Sequence, residues 1–376
     1  MERINKHKAL SPRLFFFLLF TPCLSYSLMF FPLTGARVIG VDGYLAIPVA
    51  FVLTVPITLV AWYFTSQYPG LTMIEYAPLI LGKILGFIYN LLYLSGLFLI
   101  TIVFFREVTG LAYGFLINRA PVLFANLLMV AAAVYLSYYG VSSVARLASF
   151  LFPAVLVLSA TILLAFQNWR LLNILPIGAE PIGAYFRGGM ESLYIFYPLT
   201  LIFQATGFAD RREKVFPLSL LTLSLITGLY LLNFVGITGV FTAEGITRYL
   251  WPNMEFARTI DLPFFFEEIG LVFNVAWGVL SYSTVTIFLF FLSHGLAQLN
   301  IKPGISQDPV SYQNILIFLG LIIVVALQCI PNLNILRDNL KIMQIVGGLL
   351  LFGLPFLLFL SSLLRVYIYW RKTRNG

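Results

Sequence analysis

Long apolar runs separated by short polar stretches repeat along the whole chain. Windows free of charged side chains cover 14–36, 43–74, 84–105, 120–145, 147–169, 192–209, 215–243, 269–301, 309–336 and 342–364. Each reaches the length of about 18 residues that a helix needs to cross the hydrocarbon core of a bilayer. The pattern predicts an all-α integral membrane protein with ten transmembrane helices, arranged as one polytopic domain over residues 1–376.

The windows fall into two sets of five, joined by the more polar stretch from Gln167 to Tyr185. The first repeat runs from about residue 11 to 168 and the second from about 186 to 371. Because five is odd, a second copy of the set enters the membrane upside down. That is the geometry of inverted-repeat transporters, whose sites lie where the first helix of each repeat is interrupted.

Both helices carry the expected defect. In the first, Pro22 has no N–H for the carbonyl of Leu18, and Pro32 has none for the carbonyl of Leu28. In the sixth, Gly188 and Gly189 precede Glu191, and Pro198 frees the carbonyl of Tyr194. Unpaired backbone groups in lipid cost several kcal/mol each, so they persist where protein, water or a ligand meets them. Between the two prolines of the first helix lie Ser25, Tyr26 and Ser27. Two readings stand: a discontinuous helix whose unwound middle holds a small polar ligand, or a proline-kinked helix whose serines bond their own backbone.

Composition narrows the function. With 60% hydrophobic and 10% charged residues and a mean hydropathy of +0.94, the chain is no ordinary soluble domain. The charged start followed by a long apolar run without a small-residue cleavage site predicts that the first helix is retained. The net charge of +8 does not indicate nucleic acid, because the basic residues are spread over loops and the two ends. Most of the 23 lysines and arginines fall on the side of the termini, among them Arg3, Lys6, Lys8, Arg13, Arg211, Arg212, Lys214, Arg371, Lys372 and Arg374. Both termini are therefore expected in the cytoplasm. Cys23 and Cys329 lie in apolar spans and support neither a disulfide nor a metal site. No phosphate-binding glycine loop, metal-ligand spacing or paired carboxylates in a cleft is present, so an enzyme is not expected and no cofactor is implied.

A few polar residues inside the spans are candidates for chemistry. Glu191 enters the sixth span at its break, as a proton-coupling carboxylate, a partner for a ligand ammonium, or a first-turn acid at a helix N-terminus. Arg106 closes the third apolar run beside Glu107, and Glu267 and Glu268 open the eighth. An Arg106–Glu267 pair would form an outer gate or a structural clamp. The eighth helix carries Ser281, Tyr282, Ser283 and Thr284 halfway along, able to join a ligand or ion site or to bond the preceding turn.

Several stretches taken together resemble a known family. They are SPR before a first helix ending in LMFFP; YPGLTMIEYAPLILGKILGFIY; INRAPV; VYLSYYGVSSVARL; NILPIGAEPI; and LWPNMEFARTIDLPFFFEEIG followed by Trp277. Their order and spacing are similar to the B subunit of spore germinant receptors, a permease-like branch of the amino acid/polyamine/organocation transporters. The resemblance implies the five-plus-five fold, a small nutrient germinant, residence in the inner membrane of a spore, and A and C partner subunits. The glycine-containing turn common in that family's first helix is replaced here by Ser25, Tyr26 and Ser27, and Thr200 stands where many members have a glutamate.

The expected ligand site is therefore at the midplane, between Ser25, Tyr26 and Ser27 on one side and Glu191, Tyr194 and Tyr197 on the other, walled by Ile100, Thr101, Ser283 and Thr284. The alternatives are an amino acid transporter coupled to protons or sodium, which would share the fold, and a structural membrane subunit with an unused site.

Overall fold

The computed structural model describes residues 9–29, 31–115, 121–249, 251–260, 269–299, 309–329 and 340–375. Among them the chain is helical, apart from one isolated bridge between Leu10 and Ala209. In order, the helices are α1 Pro12–Leu28, α2 Phe31–Ile39, α3 Gly43–Gln67, α4 Met73–Leu81, α5 Lys83–Phe115, α6 Val122–Tyr138, α7 Val141–Phe150 and α8 Phe152–Leu164. After two short 3-10 turns come α9 Ile182–Ser192, a 3-10 run Leu193–Leu201, and α10 Ile202–Ala205. Then follow α11 Val215–Ile246, α12 Pro252–Arg258, α13 Ile269–Gln298, α14 Pro309–Cys329, α15 Leu340–Gly348 and α16 Leu354–Asn375, with a π-helical stretch at Leu349–Gly353 between the last two.

Seven of the described helical stretches are long and apolar enough to cross a membrane, and α1 and α6 are shorter apolar helices. Local chemistry sets many of the ends. Pro12 opens α1 behind Ser11, whose Oγ accepts the Leu14 N–H at 3.4 Å. Thr72 and Glu75 form a capping box at α4, with the Thr72 N–H reaching Glu75 Oε2 at 2.9 Å. Gly82, with φ of +86°, turns the chain from α4 into α5.

Charge-free windows and helix boundaries do not coincide everywhere. The expected fourth and fifth spans meet at Arg146, but the chain turns at Gly140, again at φ +86°, and Arg146 lies inside α7. A charge marks where a helix meets water; a glycine able to adopt positive φ marks where it stops.

The centre of the molecule is α13, in which 78% of the apolar window is buried against α1, α5, α6, α7, α8, α12 and α14. The interrupted first and sixth segments pack directly on one another: α1 lies against the 3-10 run Leu193–Leu201, and α2 and α3 lie against α9. This places the two predicted defects side by side next to α13.

Candidate functional site

The first interruption falls later than expected. Ser25, Tyr26 and Ser27 remain inside α1, which ends at Leu28, and α2 starts at Phe31. The physical reason lies in Pro32, which ends the ladder at the carbonyl of Leu28 rather than at the serines. Asn253 on α12 meets that carbonyl, its Nδ2 donating to Leu28 O, while its Oδ1 accepts from Asn233 Nδ2 on α11. The Tyr230 hydroxyl donates to Leu24 O at 3.0 Å and Trp277 Nε1 to Ser25 O at 3.1 Å. Thus three neighbouring elements supply donors to the last turns of α1.

The second interruption matches its expected chemistry. The segment after Ser192 tightens from α-helix to 3-10 and contains Pro198. The Tyr194 carbonyl that Pro198 frees accepts the Ser27 hydroxyl at 3.2 Å. The two broken segments are thereby joined through a proline-freed carbonyl.

Around this join the hydroxyls pair with one another. Thr284 Oγ1 donates to Leu280 O at 3.1 Å and lies 2.6 Å from Ser25 Oγ, so the Ser25 hydroxyl is the donor between them. Tyr194 OH meets Thr34 Oγ1 on α2, and Thr34 donates in turn to Phe31 O at 3.0 Å. The Tyr197 hydroxyl donates to Gln344 O on α15 at 2.6 Å, and Thr200 Oγ1 to Leu350 O in the π-helical stretch at 2.9 Å. Tyr26 packs against Phe104 on α5 and Phe288 on α13, with ring centroids 5.0 Å and 6.2 Å away. Ser25, Ser27, Ile100, Thr101, Ser283 and Thr284 are all sealed from solvent. The Oγ of Ser283 is buried with no hydrogen-bond partner, as are those of Ser281 and the Tyr282 hydroxyl.

The structure thus gathers Ser25, Tyr26, Ser27, Tyr194 and Thr284 around the two interruptions. Thr101 sits in the α5 wall but spends its hydroxyl on Leu97 O at 2.6 Å, one turn back. Glu191 stays apart: it forms an i,i+4 ion pair with Arg187 at 3.3 Å along α9, with both side chains substantially exposed. Arg106 is half-buried on α5, and Glu267 lies outside the described residues.

Two anchoring residues were not singled out from the sequence. Asn253 sits within the LWPNMEFARTI stretch, and Asp42 is a lone acid between two apolar windows. Asp42 is 2% exposed and accepts from Gly178 N and Ala179 N at 3.0 Å each and from Tyr185 OH at 2.8 Å. The α2–α3 junction is fastened in this way to the linker and to the start of α9. Asp42→Ala removes three acceptor contacts to an anion and is expected to destabilise the protein by about 2–3 kcal/mol, read as a lower unfolding temperature in detergent. Trp277→Phe, which strips a single donor from Ser25 O, is expected to cost about 1 kcal/mol in the same assay.

Nothing in this arrangement performs covalent chemistry: it is a set of hydroxyls, carbonyls and aromatic rings where two helices break. Comparison with known proteins fits that description. The solved structure of MhsT in complex with L-phenylalanine superposes with a TM-score of 0.66 at 15% identity, covering 93% of this chain and 98% of that one. The chain is an all-helical membrane protein with the LeuT-like transporter fold. Spore germination protein YndE of Bacillus subtilis is 23% identical over 339 residues, 88% of each chain. Spore germination protein B2 of the same organism is 25% identical over 261 residues, 65% of this chain and 67% of the relative. Residues 9–335 match the spore germination protein family as a whole, and the chain belongs to that family, whose members are transporter-like membrane proteins of spore germination and not enzymes.

Proposed function

We propose that this chain is a germinant receptor subunit that binds a small polar nutrient, an amino acid or similar molecule, at the membrane midplane and so triggers germination. The reading takes ten spans in a five-plus-five inverted repeat, with α1–α2 as the first broken span and α9–α10 as the sixth. Both termini face the cytoplasm, in accord with the distribution of lysine and arginine. It works beside A and C partner subunits in the inner membrane of the spore.

The observation that carries the reading is the join itself. Ser27 bonds the Tyr194 carbonyl and Ser25 bonds Thr284, so three elements that rock against one another in such folds meet through exchangeable hydroxyl contacts. A ligand with its own donors and acceptors takes over these contacts, and the unpartnered Ser283 hydroxyl beside them gains one. Tyr26, Tyr194 and Tyr197 close over it. A shift from mostly closed to mostly open requires the ligand to favour one state by about 5.5 kcal/mol.

The test is germination of spores lacking this chain against a panel of single nutrients. The expected result is loss of response to one nutrient, with full restoration by the wild-type chain. A response unchanged across the panel, in spores where related receptors are also removed, would contradict the proposal.

A further inference from the structure

We infer that Glu107, not Glu191, supplies the carboxylate of this site, and that the ligand it selects carries an ammonium group. The inference rests on the midplane reading above and adds the charge of the ligand.

Glu107 lies inside the apolar span Lys83–Tyr113 and is half-buried. An acid at such a position is expensive and is retained where something uses it. The ion pairs among the described residues are Arg187–Glu191, Arg248–Glu244 and Arg258–Glu255, and no hydrogen bond reaches the Glu107 carboxylate from the described residues. Its neighbour Arg106 points about 100° away around the helix, from the spacing of about 3.6 residues per turn.

Its place on α5 aims it at the site. Phe104 and Glu107 lie about 60° apart around α5, on neighbouring turns, and Phe104 packs on Tyr26 with centroids 5.0 Å apart. Glu107 lies one turn beyond that contact, towards the end of α5. The surroundings have the same sign. The last turn of α1 presents the negative end of its dipole, and Ser25, Ser27, Thr34, Tyr194, Tyr197 and Thr284 bring oxygen atoms only. An ammonium between Glu107 and the end of α1 would neutralise the carboxylate and find acceptors in every direction.

The test uses the purified full chain in nanodiscs and thermal-shift titrations with L-alanine, L-valine, L-leucine, L-phenylalanine and L-asparagine, each beside its N-acetyl derivative. The expected result is saturable binding of at least one free amine, little or none of its N-acetyl derivative, and affinity about tenfold or more weaker in Glu107→Gln. Glu107→Asp should fall between. In the absence of probe the Glu107→Gln variant should unfold at the wild-type temperature or above, because no described ion pair is lost; a carboxylate with only a structural role would lower it. Equal binding of free and acetylated forms, or unchanged affinity in Glu107→Gln, overturns the inference. If Ser27→Trp abolishes binding that Glu107→Gln leaves intact, the midplane reading stands and the inference falls. Binding unaffected by either variant contradicts both, and so does the absence of binding for every probe.

Discussion

Replacing Asn253 by leucine is expected to be among the most destabilising conservative changes in the chain. The side chains are close in size, so the packing loss is small. The polar loss is not. Asn253 is fully buried and joins three helices by donating to Leu28 O and accepting from Asn233. Leucine leaves the Leu28 carbonyl and the Asn233 amide without partners in the core, and Asn233 Oδ1 already lacks one. At about 1–3 kcal/mol for each of the two abandoned groups, the expected loss is about 2–6 kcal/mol. Unfolding in detergent micelles measures it. The double change Asn233→Leu with Asn253→Leu should recover part of that loss, since the amide is removed with its partner. If the single variant unfolds as the wild type does, the first interruption is not held from α12 as described.

Adding one methyl group at Gly347 is expected to silence the response to nutrient. A Cβ there would run into the ring of Tyr197, which lies on α15 with its hydroxyl bonded to Gln344 O one turn earlier. The ring must leave this seat, breaking the bond and carrying Tyr197 away from Tyr194, 6.5 Å distant. Overpacking of this kind costs about 1–3 kcal/mol, and the bond about 1 kcal/mol more. The functional effect should exceed the structural one, because in the function proposed above Tyr197 is one of the three tyrosines that close over the ligand. Tyr197→Phe separates the two: it keeps the ring in its seat and loses only the bond to Gln344 O, so it should cost about 1 kcal/mol and leave most of the response, whereas Gly347→Ala displaces the ring itself. Normal germination in Gly347→Ala spores would show that this seat does not matter.

The residues that made the fold legible are the prolines. Pro32 and Pro198 each free a nameable carbonyl, and those two carbonyls, of Leu28 and Tyr194, are the ones that Asn253 and Ser27 meet. The logic is local and rests on backbone chemistry, so sequence suffices for it. Where the partners come from is not local. Asn253 lies 225 positions from Leu28 and Thr284 lies 259 from Ser25, and no spacing rule connects them.

Acids misled for a related reason. Glu191 stands beside the sixth-span defect in sequence, but α9 still has a full turn there to pair it with Arg187. Glu107 stands at the edge of a charge-free window, and its place one turn beyond Phe104 inside a helix depends on α5 continuing to Phe115. Asp42 stands alone between two apolar windows, and its partners come from the linker, which folds back to supply two backbone N–H groups. Windows free of charge report where lipid begins, and an interior that buries polar groups among several helices extends past them.

The central claim is that a transporter fold here senses rather than transports. The most direct measurement places the purified chain in sealed liposomes with labelled amino acids, sugars and nucleosides, and follows both binding and accumulation under imposed proton and sodium gradients. The account predicts saturable binding of one compound, lost in Ser27→Trp, with the internal concentration never exceeding the external one. Accumulation driven by either gradient would contradict it and make the chain a coupled transporter.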